Sequence, residues 1–250
     1  MIPAKKSKWF SHLFHSYQRY YLWLRNFHSV QMAGEVDPRT DYPVLYIANH
    51  CSWWDGLIIF QIIKDFSNKE HFIMMEERQL RQYPFFRKLG AFSIDKEKIS
   101  EVRKSLLYAQ NLMANKRAVW IFPQGAIYHQ EKRPFVFQKG SAFLLKRFDK
   151  CLVKPVSLHY SFNQYQRPTA SIFFGEEVLI KSSHFTSSEL TQYLEELLEQ
   201  QVTSHRDMVI NDIDFTKNNY FTPIQEKGKS TSDFIDNVKK GYTKWKSFSS

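Results

Sequence analysis

The chain has 250 residues, 43% hydrophobic and 24% charged, with eight Gly and nine Pro. This excludes global disorder and collagen-like or low-complexity architectures, and allows one mid-sized domain or a domain plus a tail. Two cysteines, Cys51 and Cys151, cannot build a disulfide framework or a four-cysteine zinc site, so the chain reads as intracellular. Thirty-five Lys and Arg against 25 Asp and Glu give +10, and aromatics reach 16%. A basic, ring-rich protein suits an anionic bilayer surface or unpaired bases.

Residues 1–34 contain no acid, and carry Lys5, Lys6, Lys8, Arg19 and Arg25. Phe10, Leu13, Phe14, Tyr17, Tyr21 and Leu24 recur at helical spacing, widened by Trp9, Tyr20, Trp23 and Phe27. The pattern predicts a basic amphipathic helix that associates with membranes; the alternative is a helix packed on its own domain. No stretch reaches the roughly 18–20 continuous apolar residues of a spanning helix. Ser11, His12, His15, Gln18 and Arg19 interrupt what would otherwise resemble an export signal, so none is expected.

Residues 35–210 alternate apolar runs with helical patterns. Strands are predicted at Val44–Ala48, Phe72–Met74, Ala91–Ile94, Ala118–Phe122, Leu152–His159 and Ala170–Phe174. Helices are predicted at Leu57–Lys64, Arg78–Lys88, Glu101–Ala114 (Ser100 as N-cap) and Ser141–Phe148. Thr186-Ser187-Ser188-Glu189 reads as a capping box opening a helix to about Val202. The expected fold is α/β, a layered, largely parallel sheet flanked by helices. Residues 211–250, rich in Asn, Lys and Ser, read as a polar tail.

In such sheets ligands bind beyond the carboxyl ends of the strands. Three clusters fall there: Asn49-His50-Cys51-Ser52-Trp53-Trp54-Asp55, Gly90 to Lys96, and Phe122-Pro123-Gln124-Gly125. On an unbroken helix, His50 and Asp55 would point about 140° apart, so they meet only if His50 sits on a turn before the helix. A carboxylate there would fix one imidazole nitrogen and leave the other as a general base, suited to drawing a hydroxyl onto an activated carbonyl. The alternative is an N-capping Asp beside an ordinary loop histidine. Cys51 and Ser52 lie in no nucleophile elbow and read as packing or turn residues. His-Glu-x-x-His, Cys-x-x-Cys and glycine-rich nucleotide patterns are absent, so no metal and no cofactor is expected.

These residues carry a resemblance. Asn49-His50 through Asp55 resembles the Asn-His-x4-Asp signature of the glycerolipid (lysophosphatidate/lysophospholipid) acyltransferase family. Four further stretches resemble its later blocks in order: Gly90–Lys96, Phe122–Gly125, Phe137–Ala142 and Val153–Val156. The resemblance implies a peripheral or monotopic enzyme on the cytoplasmic face of the cell membrane. It would pass an acyl group from acyl-CoA or acyl carrier protein to a lipid hydroxyl, without a covalent acyl-enzyme. It makes His50 and Asp55 catalytic, and places Asn49, Gly90, Lys96, Phe122, Pro123, Gln124 and Gly125 at the substrate, Lys96 toward an anionic headgroup. The expected partners are an anionic membrane surface, the acyl donor and a lipid acceptor.

Two positions depart from the family pattern. Gln124 stands where Glu is frequent, and Ala126-Ile127 where Thr-Arg often follows. An apolar pair offers no fork for a phosphate, which opens the acceptor to other lysophospholipids, a glycolipid or a glycosylated carotenoid. The readings from other classes are a catalytically idle lipid-binding relative and a single-stranded nucleic-acid binder. The chain has no RRM, KH or OB signature, and no nucleic-acid partner is expected.

Overall fold

The computed structural model describes residues 1–162, 165–212 and 220–224. The chain begins with α1 (Lys8–Tyr17), a π-helical stretch (Gln18–Trp23) and α2 (Leu24–Asn26), then β1 (Ser29–Ala33) and β2 (Val44–Ala48). Next come α3 (Asp55–Phe66), β3 (His71–Glu76), α4 (Glu77–Gln82), α5 (Phe86–Leu89), β4 (Ala91–Ile94), α6 (Ile99–Ala114) and β5 (Ala118–Ile121). The last are α7 (Gly140–Leu145), β6 (Lys150–Ser161), β7 (Thr169–Phe174), β8 (Val178–Lys181), α8 (Ser187–Asp212) and β9 (Thr222–Pro223).

The strands form one sheet in the order β4-β3-β5-β2-β6-β7-β1-β9, with β8 also on β6. From β4 to β6 every pairing is parallel, and β1 runs parallel to β7. The β6–β7, β6–β8 and β1–β9 pairings are antiparallel. Parallel strands need both faces covered, so β2 and β5 are apolar throughout. Leu45, Ile47, Val119, Ile121 and Val153 pack with α6, α7 and α8 on one face. Val44, Tyr46, Ala48, Trp120 and Val156 pack with α3 and with Trp23 and Phe27 on the other. Adjacent β2 and β5 send their onward connections to opposite sides, to β3 and β6, and in open α/β sheets ligands bind beyond the carboxyl ends of strands at such a switch point.

The N-terminal helix is present, but its apolar stripe divides. Phe14 packs on Phe60 and Phe85, and Trp23 and Phe27 are buried in the sheet core. Trp9, Leu13, Tyr17, Tyr20, Tyr21 and Leu24 remain exposed. The wider turns of the π-helical stretch rotate the face that follows, which one helical period does not anticipate. The segment leads directly into β1, a strand that the hydrophobic pattern does not predict. Ahead of α1, the Ser93 amide donates to the Ile2 carbonyl (2.9 Å), so the chain covers the β4 edge. No helix among the described residues is long and apolar enough to cross a membrane.

Other elements differ in detail. The helix predicted over Arg78–Lys88 breaks into α4 and α5 at Tyr83-Pro84, since proline lacks a donor and bars α geometry before it. Helix α6 starts one residue before Ser100, with Lys98 as its N-cap and no side-chain cap. The capping box forms: the Glu189 amide donates to Thr186 Oγ1 (3.2 Å) and the Thr186 amide to Glu189 Oε2 (2.6 Å). Of the polar tail, Thr222-Pro223 pairs with β1, and residues 213–219 and 225–250 lie outside the described residues.

His71, His159 and His205 all have their proton affinity lowered by burial, His205 to about 3. His205 sits between Ser157 Oγ (2.8 Å) and Ser171 Oγ (2.9 Å). The unfolded chain therefore binds more protons than the native one below the ordinary histidine value of about 6.5. Each contribution is complete above that pH and is lost as pH falls through the native-state value, about 3 for His205, with a slope of up to about 1.4 kcal/mol per pH unit for each histidine. Urea midpoints are expected to drop between pH 7 and 5, less steeply in His205→Gln. A flat midpoint over that range would contradict neutral buried histidines.

Candidate active site

The β2–α3 turn is built around one carboxylate. Asp55 opens α3, fully buried, where the helix N-terminus favours negative charge. Its Oδ2 accepts from His50 Nδ1 (2.7 Å), the Cys51 amide (2.8 Å) and the Ser52 amide (2.9 Å). Its Oδ1 accepts from the Tyr160 hydroxyl (2.6 Å). The carboxylate thus turns back onto the loop instead of capping its own helix. Because Oδ2 is an acceptor, the neutral imidazole carries its proton on Nδ1. Nε2 makes no hydrogen bond with any described residue, and the side chain is 21% exposed. This is a base-competent nitrogen on a partly exposed ring.

The β5 turn supplies the other wall. Phe122 stacks on the His50 ring, 4.1 Å between centroids and 14° from parallel. Gln124 Oε1 accepts the His50 amide (3.1 Å), and the Tyr128 amide donates to the His50 carbonyl (2.9 Å). The Gly125 amide closes the turn on the Phe122 carbonyl (2.9 Å), and the Pro123 carbonyl accepts the Gln138 amide (2.8 Å). Gly125 adopts φ +76°, and a Cβ there would lie 3.0 Å from Gln138 Cγ, so the turn requires glycine. Lys96, from the loop after β4, donates to the Gly125 carbonyl and lies 3.7 Å from Glu76.

The structure brings together His50, Asp55, Lys96, Phe122, Pro123, Gln124 and Gly125. Two other predicted positions have a different placement. Gly90 precedes β4 at the amino edge of the sheet, away from the cluster. Its φ is +113°, and an added Cβ would meet the His71 carbonyl at 2.8 Å, so it serves a tight turn. Asn49 uses both ends of its amide on Leu158, donating to the carbonyl (3.0 Å) and accepting from the amide (2.8 Å). It braces the loop instead of presenting a free group to substrate.

That brace has a counterpart which no local motif announces. Pairing of β6 with β2 ends at Val156, so among the described residues no strand flanks Leu158 and Tyr160 on that side. Asn49 satisfies Leu158, and Gln130 satisfies Tyr160 through Oε1 and Nε2, both at 3.1 Å. Unpaired main-chain groups are costly to bury, so the two amides stand in for a strand and lock both loops around His50. Tyr160 is the other functional residue that sequence reasoning missed. Its only advance signal was a polar ring ending an apolar strand.

Cys51 does not offer a thiolate, because burial and then the Asp55 charge push its ionisation far up. Ser52 Oγ accepts the Trp54 amide (3.2 Å), a turn role. Arg133 donates to the carbonyls of Gln130 and Lys132 (both 2.9 Å) and lies over the Phe135 ring. No group of three or more metal-ligating His, Cys, Asp or Glu side chains occurs among the described residues.

Residues 29–159, just over half of the chain, match the protein family described as Acyltransferase. The fold is similar to the crystal structure of the 1-acyl-sn-glycerophosphate (LPA) acyltransferase PlsC from Thermotoga maritima. The TM-score is 0.53 at 18% sequence identity, over 79% of this chain and 77% of that chain. No curated protein matches the chain. At that identity the structural likeness concerns the fold.

Proposed function

This chain belongs to the acyltransferase family, and from that premise we propose that it transfers a fatty acyl group from an acyl thioester to a hydroxyl of a lysophospholipid or related lipid. The donor is acyl-CoA or acyl carrier protein. His50 Nε2 takes the hydroxyl proton as the lipid oxygen bonds to the thioester carbonyl carbon. The tetrahedral intermediate then collapses, the carbon–sulfur bond breaks, and the imidazolium returns the proton to the departing thiolate. Asp55 stays ionised and supports the imidazolium. The observation that carries this reading is the His50–Asp55 hydrogen bond, which engages Nδ1 and leaves Nε2 without a partner among the described residues.

The reaction is placed at an anionic membrane surface, on the cytoplasmic face of the cell membrane, with the protein peripheral or monotopic. Support comes from Trp9 and Tyr20, 73% and 70% exposed on a helix whose neighbourhood carries Lys5, Lys8, Arg19 and Arg25. Ring contacts continue from Phe14 through Phe85 and Tyr83 to the half-exposed Trp53 in the His50 loop. This would bring the His50 loop down to the lipids.

The test gives purified protein palmitoyl-CoA or palmitoyl-acyl carrier protein, with lysophospholipids and glycolipids carried on anionic or zwitterionic vesicles. Free thiol and acylated lipid should appear in equal amounts, faster on anionic vesicles. No thiol release above the protein-free blank, for every donor and acceptor, would remove the transferase reading. A glycolipid or glycosylated carotenoid acceptor is the second reading. Ala126-Ile127 after Gly125, and the engagement of Arg133 within its own loop, favour a headgroup that does not demand a phosphate fork.

A further inference from the structure

The two oxygens of Asp55 are loaded differently. Oδ2 takes three N–H donors from the loop that carries His50. Among the described residues, Oδ1 takes a single strong donor, the Tyr160 hydroxyl at 2.6 Å, besides a distant Cys51 thiol at 3.9 Å. That hydroxyl arrives from a strand 105 residues further along the chain. It is held in place: Gln130 occupies both main-chain groups of Tyr160, and the ring lies along Phe27, 6.2 Å between centroids.

We propose that Tyr160 is a positioning residue of the acyl-transfer site, whose hydroxyl fixes the Asp55 carboxylate and sets how strongly it supports the His50 imidazole. The inference rests on the general-base reading of His50. A hydroxyl donating to one oxygen draws charge from the carboxylate and weakens its hold on a proton carried by the imidazole. Removing that donor should strengthen the carboxylate's hold on the imidazole proton. Burial first, and the Asp55 charge second, hold the phenol ionisation well above its ordinary range, so Tyr160 remains a donor throughout. Among the described residues, the other titratable groups around the site are His50 and Cys51 from the β2–α3 loop, Lys96 from the loop after β4 and Glu131 from the loop after β5. Cys51 stays protonated for the reason given above.

The experiment compares wild type, Tyr160→Phe and His50→Ala. Phenylalanine keeps the ring packing and removes only the donor. In kinetics with palmitoyl-CoA and lysophosphatidylcholine vesicles, the acid limb of kcat/KM is expected to move to higher pH in Tyr160→Phe by about half a unit. In 15N-histidine-labelled protein without substrate, the ring signals absent from His50→Ala should switch at a correspondingly higher pH, and the Nδ1 resonance should move downfield. A merely structural tyrosine would lower thermal stability and leave the limb and ring signals in place, which would overturn the inference. Turnover retained by His50→Ala would instead overturn the general-base reading, whatever Tyr160→Phe does. The labelled-protein titration decides the Tyr160 question without turnover.

Discussion

With His50 replaced by alanine, kcat/KM for acyl transfer is expected to fall by about 10²–10⁴, the usual contribution of one general base. The fold should survive the change. The imidazole is partly exposed, its far nitrogen bonds nothing in the described chain, and Asp55 keeps the Cys51 and Ser52 amides and the Tyr160 hydroxyl as partners. The variant should therefore melt within a few degrees of wild type while releasing thiol at close to the blank rate. Substrate binding should change little, since the lost group acts in the transition state, so the deficit belongs in kcat more than in KM. Wild-type turnover in this variant would end the mechanism.

Asp55 is expected to show two separable effects. Asparagine can keep its carbonyl toward His50, Cys51 and Ser52, and turn its amide toward Tyr160, whose hydroxyl can accept as well as donate. What it loses is the charge supporting the imidazolium, a charge-assisted bond worth about 1.5–3 kcal/mol, so turnover should drop about 10- to 100-fold with modest loss of stability. Alanine instead leaves the Cys51 and Ser52 amides and the Tyr160 hydroxyl without their acceptor in a buried site. At about 1–3 kcal/mol for each stranded donor, Asp55→Ala should lose about 3 kcal/mol or more in urea unfolding, as well as its activity. Full turnover in Asp55→Asn would show that the charge does no chemical work. An unchanged unfolding midpoint in Asp55→Ala would show that the carboxylate is not the anchor of the loop.

Asn49 stands beside His50 in sequence, yet its amide is committed to Leu158. The neighbouring motif residues thus have separate roles. His50 keeps a partly exposed ring, Asp55 holds the turn and the ring, and Asn49 ties the turn to β6.

The local patterns in the chain determined much of this protein. Apolar runs bounded by turns fixed the central strands, and the Thr186–Glu189 box fixed the start of α8, because both depend on residues a few positions apart. The His50–Asp55 spacing likewise required a turn before a helix, and the turn is there. What the tertiary structure alone decided are the contacts whose ends are far apart along the chain. Tyr160 reaches Asp55 across 105 residues, and Asn49 reaches Leu158 across 109. No periodicity within either segment encodes which strand will lie alongside which loop. The same reason explains the N-terminal helix: its rings were legible as a stripe, but which of them would be buried depended on where α5, α3 and the sheet came to rest.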